Sequence, residues 1–122
     1  MSPRMVATAA ALVGLMFGAI GLIVPGTMAT AFGASLDRTG EALARLACAS
    51  YDGFGVLAWL ARDLTDARAW RAVAGGSAVS WALGGVVMAT GGLSGLAGGQ
   101  AWLIVAMQIL FTLAWSRVYA RA

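Results

Sequence analysis

The sequence contains no histidine, no lysine, one cysteine (Cys48) and two prolines. Loss of histidine removes the commonest general base and the commonest transition-metal and haem ligand, so neither a metal centre nor a cofactor is expected. Without lysine no GxxxxGK[ST] phosphate loop exists, despite 17 glycines. A lone cysteine cannot close an intrachain disulfide, so it says nothing about redox compartment. No nucleophile has a recognisable base beside it, and enzymatic activity is not expected. Charge is also scarce, at 11% of the 122 residues, where a soluble domain carries about a quarter.

What fills the chain is apolar: 61% of residues are hydrophobic and the mean hydropathy is +0.84. So short a chain exposes much of its surface, and one core cannot absorb this many apolar side chains. A lipid bilayer is the solvent that suits them. Four apolar stretches stand out, at about 5–24, 42–61, 70–90 and 100–119. About 20 residues at 1.5 Å each cross a hydrocarbon core of about 30 Å. The expected fold is therefore all-α, a single integral membrane domain built as a four-transmembrane-helix bundle. A secretory signal is the rival reading of the first stretch, with Arg4 as its basic flank and Ala29-Thr30-Ala31 as its cleavage site. Signal cores run to about 7–15 residues, and this stretch is longer, so a membrane helix is expected.

The eight arginines fix an orientation. With four spans, Arg4, Arg62, Arg68, Arg71, Arg117 and Arg121 fall on one side, and Arg38 and Arg45 on the other. Positive charge collects in the cytoplasm, so both termini are expected inside a bacterial inner membrane. In a soluble protein the net charge of +3 would raise nucleic acid as a partner; at helix ends the arginines are better explained by topology, and none is expected. Trp59, Arg62, Trp70, Arg71, Trp115 and Arg117 read as interfacial anchors, while Trp81 is mid-span and expected to pack in the bundle. Between the first two spans, 28–36 has the look of a short interfacial helix. Thr39 is placed to cap the second span, with Glu41 in its first turn. Pro25-Gly26 stops the first span, Arg62 to Arg71 forms a charged cytoplasmic hairpin, and Gly91 to Gly99 forms an uncharged loop on the far side.

Few residues inside the spans are polar. Asp52 lies mid-way along the second; a carboxylate at that depth costs about 2.5–3.5 kcal/mol and normally faces protein or water. It reads either as a proton or cation site, or as a carboxylate satisfied within the bundle. Helical spacing aligns it with Glu41, Arg45, Cys48, Gly55 and Trp59. Arg45 is able to approach Asp52 two turns away, but pairing with Glu41 one turn away is the stronger expectation. Gln108 is expected to make an interhelical hydrogen bond. Gly14 and Gly18 form a GxxxG face on the first span, and Ser80 and Gly84 a small-residue face on the third, both suited to close helix packing with the same chain or another.

Arg45-Leu46, the small-residue run after it, and Trp59-Leu60-Ala61-Arg62, with Phe17-Gly18, Pro25 and Phe32-Gly33, resemble an uncharacterised family of small four-helix bacterial inner-membrane proteins. That resemblance implies the four-span fold and no activity. Small multidrug-resistance transporters differ, since they carry a carboxylate on the first helix, where this chain has none. Dual-topology fluoride channels differ too, since they need balanced loop charge. What remains is an accessory, non-catalytic subunit in a larger membrane complex, such as a photosynthetic or respiratory one. The alternative is a homo-oligomeric small transporter or channel using Asp52. A lipid, quinone or pigment contact on the tryptophan-rich spans is a third reading.

Overall fold

A computed structural model describes residues 2–96 and 98–122. Five helices account for nearly all of them, with no strand among the described residues: α1 (Pro3–Ile23), α2 (Pro25–Ala31), α3 (Arg38–Ala61), α4 (Ala67–Leu93) and α5 (Ala101–Arg121). Three of these, α1, α4 and α5, are long and apolar enough to cross a membrane. The fourth long helix, α3, has 24 residues but is diluted by Glu41, Arg45 and Asp52.

The helix boundaries follow from local chemistry. Ser2 caps α1 by accepting from the Met5 N–H at 3.3 Å, and Pro3 follows where its missing N–H costs nothing. Pro25 ends α1 and also opens α2, so the short helix begins three residues before the expected Met28. It stops at Ala31 because Gly33 turns left-handed at φ 73°. The Gly33 and Ala34 N–H groups then return to the Thr30 and Ala29 carbonyls, both at 3.0 Å, the Schellman ending. The loop after α4 repeats the device: Gly95 has φ 75°, and Leu96 N–H reaches back to Gly91 at 3.0 Å. Ala97 of the expected Gly91–Gly99 loop lies outside the described residues.

The cap of α3 is a correction. Asp37, not Thr39, takes that position and accepts from the Gly40 N–H at 2.7 Å. Helical backbone already begins at Arg38, so Thr39 falls inside the first turn, where a hydroxyl cannot cap. Glu41 does lie in the first turn. Asp66 caps α4 the same way, accepting from Ala69 N–H at 2.7 Å.

The long helices pair as α1 with α3 and α4 with α5, each pair in contact along its length, while contact between the pairs is sparse. Within the first pair the backbones approach closely. A Cβ on Gly14 would sit 3.2 Å from the Gly55 Cα, and one on Gly18 or Gly21 would collide with the side chains of Asp52 and Cys48. The GxxxG face is thus occupied by α3 of the same chain. In the second pair Trp81 stacks on Phe111 at 4.4 Å between ring centres, and Gly84 faces the Gln108 amide.

The two pairs meet at their ends. At the end holding Arg4 and the α3–α4 turn, Val6, Ala7, Ala10, Ala58, Trp70, Ala74, Trp115 and Val118 form a buried cluster. At the opposite end the Gly98 N–H donates to the Phe32 carbonyl at 2.8 Å. Between these closures the pairs stand apart.

Candidate functional site: a cavity between the helix pairs

The gap between the closures is a cavity of about 320 Å³. All four long helices line it near their midpoints: α1 with Ala10 and Gly14, α3 with Tyr51 and Phe54, α4 with Ser77, Ser80 and Trp81, α5 with Gln108 and Trp115. Small residues create the space. Alanine, glycine and serine dominate the positions where α1, α3 and α4 face it, so backbones rather than long side chains set its width. The rim along the α3–α4 seam is exposed at Ser50, Tyr51, Phe54 and Ser80, and those two helices barely touch.

The floor is formed by α5. Trp115 is 0% exposed and Gln108 3% exposed. Among the described residues the Trp115 Nε1–H is buried without a hydrogen-bond partner. Its neighbours in the core, including Trp70 at 6.5 Å between ring centres, offer it no acceptor. Leaving such a donor unpaired costs about 1–3 kcal/mol. Gln108 is held by its backbone, whose carbonyl accepts from the Thr112 hydroxyl at 2.8 Å. The interhelical hydrogen bond expected of its side chain is not formed among the described residues. Glycine at position 84 gives the amide room but presents no side-chain partner.

Other polar residues singled out in the sequence lie elsewhere. Asp52 is half-buried and faces α1, its carboxylate against Gly18; it is not among the residues lining the cavity. Arg45 is turned away from it: one guanidinium nitrogen pairs with Glu41 at 3.4 Å, and Nε donates to the Leu22 carbonyl at 3.3 Å. Ser80 and Gly84 share the α4 face toward the cavity and α5. Cys48 is buried between α3 and α1.

The expected anchors divide into two groups. Arg62 lies over the Trp59 ring at 3.4 Å, and Arg71 and Arg117 are exposed. Trp70 and Trp115 are instead turned inward and buried. Trp70 donates through Nε1 to the Leu64 carbonyl at 2.9 Å, closing the α3–α4 turn onto the core. Position near a helix end is common to all six residues; the direction in which a ring points depends on the neighbouring helix, which the sequence does not display. No family model, curated protein or solved structure matches this chain.

Proposed function

We propose that this chain is a four-span protein of a bacterial inner membrane, with both termini cytoplasmic, that acts as a non-catalytic subunit packed into a larger membrane assembly. An energy-transducing complex, photosynthetic or respiratory, is the first place to look for it. The four-span reading is supported by the course of α3. It runs beside α1 from the Leu22–Arg45 contact to the Ala11–Gly55 contact, so a bilayer crossed by α1 is crossed by α3 as well. The orientation is supported by Arg4 and Asp63, paired at 3.4 Å, which bring the N-terminus and the arginine-rich turn to one end.

The observation that carries the subunit reading is the openness of α4. Only 11% of its most apolar window is buried, and Val79, Leu83, Val86 and Val87 all project outward. A Cβ on Gly76 of α4 or Gly53 of α3 would meet nothing within 4 Å. Another helix is therefore able to approach these backbones closely, which is how helices associate in lipid. The transport reading draws less support, because Asp52 packs on Gly18 rather than along an open path. Extraction in a mild detergent, native-gel separation and mass spectrometry of the band test the proposal. Co-migration with other polypeptides in fixed ratio is expected; migration alone or as a homo-oligomer overturns it and makes transport assays on Asp52→Asn the next step.

A further inference from the structure

We propose that the groove between the start of α1 and the end of α5 holds an anionic phospholipid, with its phosphate on Arg117 and Arg121 and one acyl chain laid along α5. This groove shares no residue with the cavity between the helix pairs. It requires only that α5 cross a bilayer, and its failure leaves the subunit reading untouched.

The apolar part comes first. Leu110, Leu113, Ala114 and Val118 of α5, with Val6 of α1, line a space of about 550 Å³. Its base is the closure of the two helix pairs: Val6 and Val118 are buried in that cluster, and Ala114 packs against it. Leu110 and Leu113 are exposed along its length, so on a membrane-spanning α5 the groove opens sideways into lipid. Positions 110, 114, 117 and 121 fall on one stripe of the helix. From Arg121 to Leu110 that stripe runs about 16 Å at 1.5 Å per residue, close to half of a hydrocarbon core of about 30 Å. That is the depth of one leaflet, which matches an acyl chain; a partner's spanning helix would cross both.

Charge decides the kind of lipid. Arg117 and Arg121 stand one turn apart at the outer end of the groove, and neither has an ion-pair partner among the described residues. The five carboxylates are all engaged elsewhere. Asp37 and Asp66 cap helices, Glu41 pairs with Arg45, Asp63 takes Arg4 and Arg62, and Asp52 lies against Gly18. A guanidinium has donors only, in a fork that suits phosphate oxygens. Two of them over an apolar slot select a head group of net negative charge, because the ammonium of a zwitterionic lipid would bring a cation back to the same place. Arg68 and Arg71 lie at the same end of the bundle, where any arginine attracts anionic lipid. What sets Arg117 and Arg121 apart from them is the groove beneath.

The test is native mass spectrometry of the full chain, purified in detergent and titrated with dioleoyl phosphatidylglycerol or dioleoyl phosphatidylcholine. One phosphatidylglycerol per chain is expected to be retained at about tenfold lower concentration than phosphatidylcholine. Arg117→Gln with Arg121→Gln is expected to erase that preference. Arg68→Gln with Arg71→Gln removes the same charge and is expected to keep it. Ala114→Leu fills the groove at mid-length without changing charge, and is expected to weaken phosphatidylglycerol about tenfold. Should that variant not fold, excess glycerol 3-phosphate reads the same question: lacking an acyl chain, it is expected to displace nothing. Equal retention of the two lipids by the wild type overturns the proposal. So does an equal loss in the two arginine pairs, which would make the attraction a property of the whole surface. Unchanged binding in a folded Ala114→Leu protein, or displacement by glycerol 3-phosphate, overturns it as well, since the groove would then play no part.

Discussion

The Asp52 carboxylate lies against the Cα of Gly18, so closely that a methyl group on Gly18 has no place to go. The residue with the strongest claim to chemistry in the second long helix is thus seated on the bare backbone of the first. Gly18→Ala is expected to destabilise the α1–α3 pair by about 1–3 kcal/mol through overpacking. Asp52→Ala in the same background is expected to restore part of the loss, because two contacting positions are not additive. Thermal unfolding of the four proteins in detergent measures the coupling; simple additivity would show that the two residues do not touch.

Trp115 separates packing from hydrogen bonding. Trp115→Ala removes a fully buried ring and is expected to cost about 3–5 kcal/mol. Trp115→Phe keeps a six-membered ring and deletes, with the rest of the indole, a donor that has no partner among the described residues, so relief of that donor offsets part of the lost packing and the cost is expected to be well below that of Trp115→Ala. Equal losses in the two variants, followed by unfolding in denaturant, would mean that the N–H is satisfied after all.

The Phe32–Gly98 link depends on two glycines. Gly33 is left-handed, and a Cβ there would lie 2.8 Å from the Gly98 Cα. Gly33→Ala is expected to cost about 1–2 kcal/mol in backbone strain and to push the two loops apart. Hydrogen exchange at the Gly98 amide reads this directly: exchange is expected to quicken in the variant. An unchanged rate would place the donor of that bond elsewhere.

Arginine placement predicts the orientation. A fluorescent protein fused to the C-terminus is expected to mature and fluoresce in a bacterial host, and alkaline phosphatase at the same point to stay inactive. Active phosphatase there would reverse the topology. Arg45→Gln, by contrast, is expected to change stability by less than about 1 kcal/mol, because its partner Glu41 is solvent-accessible.

The four long helices were legible because hydropathy and helix length are local properties. The Gly14/Gly18 face was legible as a contact surface, though not as one used by α3 of the same chain. The site was only partly legible. Gln108 announced itself as a polar residue in an apolar run, but the seating of its amide against Gly84 depends on the spacing of α4. Trp115 was indistinguishable from Trp59 in sequence; only the packing of α5 against α1 and α4 makes one a buried donor and the other a surface ring. The cavity itself has no sequence signature, since it is made by alanines and glycines that serve equally well to bring helices together.

Because each long helix finds its main partner one hairpin away, assembly is expected to follow the order of synthesis. Once α3 has emerged, α1 and α3 hold every surface they need to lock together, and nothing in that step awaits the second half of the chain. The five residues from Arg62 to Asp66 are then the only covalent tether between two preformed halves. Severed in that turn, the halves are expected to find each other again in the membrane as separate polypeptides, rejoining through the buried cluster at one end and the Phe32–Gly98 hydrogen bond at the other.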